Sequence, residues 1–364
     1  MDRRLIFCIL PGCFQPYQDL PVLDFSEMSF DRPGLEASSA VVRAFDLAEH
    51  TCPDGEPARL YAVYAEGAAP GAPVALMLHS GAFDYIVSSE DGQPPLEGRH
   101  YRTESRLERP WALAKVWETL GMLPTPVEAG EDNRGSLAVA MVNDGWVQLY
   151  PANCWGDLWH HDLATNPNDS ATEGFERDGL GLAMTAARIV TEPGFAGTIG
   201  VDIPVEIDPT QFFVVGLGDG GRGVAELLAR PELAGTTVAG VFLDSSPDLA
   251  SAYVDDPASW YDELVGMELL YGETFTADPD AISVHRLLTD GRLTAPVGLV
   301  WSPLDHAVPP ASTAPLADAL LTAGAPHLVV ENQGAGHVFA NSDDILAEAM
   351  VGWLTTGEFE AGAE

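Results

Sequence analysis

The segment from Gln211 to Ala229 limits this chain more than any other. Phe212, Phe213, Val214 and Val215 form an unbroken aromatic and β-branched run, the pattern of a strand buried on both faces. From about Gly221 the spacing becomes helical, with Val224, Leu227 and Leu228 on one face. Between them lie Gly216, Leu217, Gly218, Asp219, Gly220 and Gly221. A strand that turns this sharply into a helix brings its two arms together two residues before and two after the apex, where only small residues fit. A phosphate loop is excluded because no Lys-Ser/Thr follows the glycines. Gly216, Gly218 and Gly221 also fit a dinucleotide-binding turn, with Asp244 as its ribose-binding acid. That turn ordinarily opens its domain, and this one lies far down the chain.

The flanking sequence decides between these readings. Val41–Ala48 and Arg59–Ala65 alternate in the manner of antiparallel edge strands. Pro73–Leu78 reads as a buried strand and runs into His79-Ser80-Gly81-Ala82-Phe83. The periodicity predicts a helix over 109–120, with Trp111, Leu113, Val116 and Leu120 inward, a strand over Trp146–Tyr150 and a helix over Leu180–Val190. Beyond the glycine turn, strands are expected at Thr237–Asp244, Pro296–Trp301 and Pro326–Val330, with a helix over Ser312–Ala323. Such alternation of apolar runs and helical stretches is that of an α/β chain with a mostly parallel sheet. Asp305, followed by Val308-Pro309, and His337, preceded by Gly334-Ala335-Gly336, each come just after an expected strand.

Gly216-Leu217-Gly218-Asp219-Gly220 resembles the nucleophile elbow, G-x-S-x-G, of the α/β-hydrolase superfamily. The His79 loop is similar to that family's oxyanion loop, and the order apex, Asp, His is the family's order. The resemblance runs from about residue 40 to 357. It implies an eight-stranded, mostly parallel sheet flanked by helices, with cap insertions near 151–180 and 245–293, and no cofactor. It implies that His337 is the general base and Asp305 its orienter. The N–H groups of Asp219 and of Gly81 or Ala82 would form the oxyanion hole. The departure is the apex itself. Gly218 stands where the family has its nucleophile, so no side chain there can form an acyl-enzyme. The resemblance therefore points to an esterase- or peptidase-like protein that binds a small ester- or amide-like ligand and turns it over poorly or not at all. Two alternatives stay open. One is an active ester or peptide-like hydrolase that recruits Asp219, Ser80 or Ser246, or whose Gly218 is an engineered replacement of Ser. The other is a non-catalytic binding protein whose cap holds a partner.

Charge excludes some partners. With 364 residues the chain has a net charge of −38, and Lys115 is its one lysine. Such a surface repels nucleic acid and anionic membranes and is the balance expected of a protein kept soluble at high salt. At the N-terminus, Arg3-Arg4 and a short apolar run lead to Leu10-Pro11-Gly12-Cys13, which resembles a bacterial lipobox. The expected organisation is a signal-like segment over 1–13, a tether over 14–38 and the hydrolase-like domain over 39–364. Cys13 would be lipidated, making the protein an exported, membrane-anchored lipoprotein of the periplasm or cell surface, with a cytoplasmic protein as the alternative. Export removes Cys8 and leaves Cys52 and Cys154, either paired or as two separate buried thiols. His160-His161 with Asp157 and Asp162 is set aside as a metal site. Adjacent histidines do not share a face, and no third ligand is suitably spaced.

Overall fold

The computed structural model describes residues 26–52, 55–79, 87–88, 100–101, 113, 116–117, 119–122, 134–154, 159, 178–233, 236–249, 251–252, 280–305, 308–334 and 337–359. Its centre is a nine-stranded sheet. In chain order the strands are β1 (Glu27–Ser29), β2 (Ala40–Thr51), β3 (Pro57–Ala65), β4 (Ala72–Leu78), β7 (Val147–Ala152), β8 (Ile207–Leu217), β9 (Gly240–Asp244), β10 (Val297–Trp301) and β11 (Leu328–Glu331). A separate antiparallel pair, β5 (Val87–Ser88) and β6 (His100–Tyr101), lies outside it. The order across the large sheet is β1-β2-β3-β7-β4-β8-β9-β10-β11. The β1–β2, β2–β3 and β3–β7 pairs are antiparallel, and every later pair is parallel.

Two expectations change here. The sheet has nine strands instead of eight, because β1 lies outside β2. That extra strand comes from residues expected to be the end of a tether, and Phe30 beside it is buried. β1 thereby makes β2 an interior strand, and β3 lies between β2 and β7, so neither is an edge.

The helices are α1 (Ser136–Asn143), α2 (Gly179–Thr191), α3 (Phe195–Thr198), α4 (Gly220–Ala229), α5 (Val284–Thr289), α6 (Pro310–Ala323), α7 (Phe339–Ser342) and α8 (Asp344–Thr356). Of the helix expected over 109–120, Leu113, Val116 and Trp117 are helical and, with Leu120, buried. The connection from β4 through α1 steps to β7 on one side, and that from β7 through α2 steps back past β4 to β8. Right-handed crossovers in opposite directions put their helices on opposite faces. Accordingly α1 packs with α8, whereas α2 packs with α4, α4 with α5 and α5 with α6. The reversal leaves a topological switch point at the carboxyl ends of β4 and β8, where ligands of open α/β sheets bind.

The core follows from composition. β4 and the inner half of β8 are buried along almost their whole length, as strands covered on both faces must be. Cys52, just beyond β2, and Cys154, just beyond β7, form a disulfide with Cα atoms 5.6 Å apart. This settles the open question of their pairing.

Candidate active site

The turn at the end of β8 has the geometry that its sequence demands. Gly218 adopts φ +52°, a left-handed conformation that a side chain tolerates only under strain. Gly221 N donates to Gly218 O at 3.0 Å, starting α4 directly from the apex. A Cβ on Gly216 would lie 2.6 Å from Gly221 Cα. One on Gly220 would lie 1.8 Å from the carbonyl oxygen of Leu78, at the end of β4. The small residues on both sides of the apex are therefore the condition for α4 to leave β8 at this angle while β4 runs alongside.

Asp219, the residue after the apex, has φ −59° and opens α4. At a helix start the N–H groups point outward and the dipole favours negative charge, the setting expected of an oxyanion donor. Gly216 and Gly220 bracket Gly218 and not Asp219, so Asp219 does not occupy the apex. Ser246 is buried, donates to Gly216 O at 3.1 Å and stands where a Cβ on Gly221 would be. Its hydroxyl fastens the base of the turn. Ser80, Gly81 and Ala82 lie outside the described residues, as do Cys13, Asp157, His160, His161 and Asp162.

Asp305 and His337 meet. His337 Nδ1 lies 3.0 Å from Asp305 Oδ2 and 3.2 Å from Oδ1, and both side chains are buried. In the neutral imidazole this leaves Nδ1 as the donor to the carboxylate and Nε2 as the acceptor nitrogen. The acid loop is braced from within. Val308 N donates to Asp305 Oδ1 at 3.0 Å, and Leu304 N donates to Ser302 Oγ at 2.9 Å. Ser302 Oγ in turn donates to Gly334 O at 2.6 Å, joining the acid loop to the chain that carries His337.

Three features of this region were not legible in the sequence. Asp244, fully buried at the end of β9, accepts from Ala340 N at 2.8 Å and Asn341 N at 3.3 Å through Oδ2. Burial pushes its carboxyl up to about 7, against the pull of the nearby His337 charge and of these amides. Asp244 is therefore a structural acid under the His337 loop, not a ribose ligand. Ser245, at φ +52°, accepts from Val338 N at 2.8 Å, and Val338 is itself left-handed at φ +56°. Trp159, at φ +69°, donates its indole N–H to His79 O at 3.2 Å and packs its ring edge-on to His79. Gly223 leaves the room on α4 for that indole, since a Cβ there would fall 2.6 Å from Trp159 Cγ. Only a general richness in aromatics marks Trp159 in the sequence.

Asp248, also buried, receives Val284 N and His285 N at 2.7 and 3.1 Å and so caps α5. Burial raises its carboxyl to about 6. Its carbonyl accepts from the buried Arg222 of α4 at 3.1 Å, linking the segment after β9 to the helix of the turn.

The sequence matches no family model and no curated protein. Solved structures do match. An esterase from Rhizomucor miehei superposes with a TM-score of 0.50 at 15% identity, over 90% of this chain and 86% of that one. An S-formylglutathione hydrolase from Staphylococcus aureus superposes with a TM-score of 0.50 at 12% identity, over 88% of this chain and all of that one. At such identities the likeness concerns the fold. Together with the switch-point sheet and the glycine-bracketed strand-to-helix turn, it identifies this chain as an α/β-hydrolase fold.

Proposed function

We propose that this protein uses an esterase- or peptidase-like site to bind a small ester- or amide-like ligand, and that it lacks covalent turnover because its apex is Gly218. The observation that carries the reading is the buried Asp305–His337 pair, oriented at 3.0 Å on a site whose apex has no side chain. In a complete site a hydroxyl attacks the carbonyl carbon as His337 Nε2 takes its proton, and Asp305 holds the imidazolium that forms. The oxyanion is held by the N–H of Asp219 and one from the loop after His79. With no side chain at the apex, the nucleophile this reading gives to His337 is water. Catalysis that survives without the full constellation stands on the order of 10³–10⁴-fold over the uncatalysed rate in a serine protease.

The test restores the missing atom. Gly218→Ser should cost about 1 kcal/mol of stability at its left-handed φ and place a hydroxyl at the apex. The parent should be inert to a fluorophosphonate, and the variant should be labelled at residue 218 and hydrolyse a short-chain p-nitrophenyl ester. His337→Ala should abolish both reactions of the variant. Labelling of the parent would overturn the reading, because another nucleophile would then be at work. A folded but unreactive variant would favour a pure binding role instead.

For location, we propose export with a lipid anchor at Cys13. The Cys52–Cys154 disulfide supports an oxidising compartment. Palmitate labelling in the native host should vanish in Cys13→Ser, and labelling that persists would refute the anchor.

A further inference from the structure

We infer that Asp244 and Ser245 are positioning residues for His337, fixing the loop of the base to the same strand end that anchors the apex of the turn. The inference rests on the site reading above and deepens it. Gly218 N donates to Asp244 O at 2.9 Å, so the apex hangs from the main chain of this residue. The side chain of Asp244 faces the other partner, receiving Ala340 N and Asn341 N. Ser245 Oγ receives Val338 N at 2.8 Å and lies 3.3 Å from Asp244 Oδ1, to which it donates. Three of the four amides that follow His337 therefore end on two consecutive residues of the chain leaving β9. The main chain of one of those residues also holds Gly218.

The geometry is more than a helix cap. α7 is only four residues long, and Val338, the residue between the base and the helix, is held in a left-handed turn by the Ser245 hydroxyl. A Val in that conformation persists only when its surroundings over-determine it. Ser245 is strained likewise, at φ +52°. Two strained residues joined by one hydrogen bond fix where the backbone of His337 leaves its loop, and hence where the imidazole meets Asp305. The acid comes from β10 and the apex from β8, and β9 lies between these two strands. It is thus the one strand from which both can be referenced. The Asp244 carboxylate also attracts a protonated His337, an interaction that capping alone would not require.

The experiment reads the imidazole directly, on the full-length chain. A proton held between Nδ1 and a carboxylate gives a low-field ¹H resonance. His50 Nδ1 lies 2.7 Å from Asp178 Oδ2 elsewhere in the fold, so a second resonance of this kind serves as an internal control of folding. His337→Gln and His50→Gln assign the two. In Ser245→Ala and Asp244→Ala the His337 resonance should be lost or broadened while the His50 resonance stays. Asp244→Asn, whose amide oxygen still accepts both backbone amides, should restore it. An unchanged His337 resonance in the alanine variants would overturn the inference and leave Asp244 a simple cap. Should Asp244→Ala fail to fold, which loss of both resonances would report, Ser245→Ala decides alone. In the Gly218→Ser background, Ser245→Ala should slow fluorophosphonate labelling about 10- to 100-fold, as misplacement on the ångström scale does. An unreactive Gly218→Ser protein with the expected response of the His337 resonance would remove the hydrolase-like reading and leave the positioning role standing.

Discussion

Gly220→Ala is the sharpest test of the turn that organises the fold. Its new methyl would sit 1.8 Å from Leu78 O and 2.6 Å from Leu78 C, with His79 O at 3.2 Å. All three atoms are backbone, in the last residue of β4 and the one after it, so no side chain can rotate away. Relief requires α4 and the end of β4 to separate by more than an ångström. β4 is hydrogen-bonded along both sides, to β7 and to β8, so the shift spreads into the sheet. Overpacking of this kind typically costs about 1–3 kcal/mol, and occasionally more. We expect the upper part of that range, because the obstacle is rigid. The assay is urea unfolding followed by tryptophan fluorescence. The midpoint should fall with little change in slope, since the area exposed on unfolding is the same. Gly352→Ala, in α8, is the control. Nothing lies within 4 Å of its Cβ position, so it should stabilise by about 0.4–1 kcal/mol through the unfolded chain. A Gly220→Ala protein as stable as the parent would refute the close approach of β4 and α4.

Three further outcomes are expected. The Asp244 and Asp248 carboxyls are raised to about 7 and about 6, chiefly by burial. The folded chain therefore binds more protons than the unfolded one from about pH 4 up to those values. Their contribution is full below about pH 4 and is lost as pH rises from there, ending near pH 6 for Asp248 and near pH 7 for Asp244, at about 1.4 kcal/mol per pH unit for each group over its own window. The melting temperature should thus be higher at pH 5 than at pH 8, and Asp248→Asn should narrow the difference; a maximum at pH 8 would contradict this. The Cys52–Cys154 bridge spans 102 residues, so Cys154→Ser should remove about 4–5 kcal/mol, and an unchanged unfolding midpoint would count against it. With a net charge of −38, screening of self-repulsion should raise the melting temperature in molar KCl, and a fall would argue against salt adaptation.

What could be read from the sequence was what is local. The strand-to-helix turn declares itself because Gly216, Gly218, Gly220 and Gly221 are close neighbours in the chain and their smallness has one steric cause. Asp305 and His337 were legible because each follows a short apolar run with its own turn residues. The helices α1 and α8 were missed. Almost every residue of α1 is buried, and a helix that is apolar all round has no amphipathic signal. β1 is three residues long, too short to show alternation. Asp244 could not be read correctly because its role depends on amides nearly a hundred positions later. As a sequence feature it resembled a ribose-binding acid. The disulfide was open for the same reason, since pairing depends on β2 and β7 ending on the same side of the sheet.

Trp159, Ser245 and Val338 are the non-glycine residues with positive φ among the described residues. All three gather around the switch point: the indole on His79, the hydroxyl and the valine amide on each other. Left-handed strain in non-glycine residues stands at roughly 1–3 kcal/mol apiece. A glycine would relax this strain at the cost of a hydrogen bond at Ser245, and of a buried side chain at Trp159 and Val338. Here it persists beside an apex that has no nucleophile. In a laboratory lineage selected for thermostability alone, loss of Ser245 would show that its strain outweighs its bond to Val338, and retention would show that the bond offsets it.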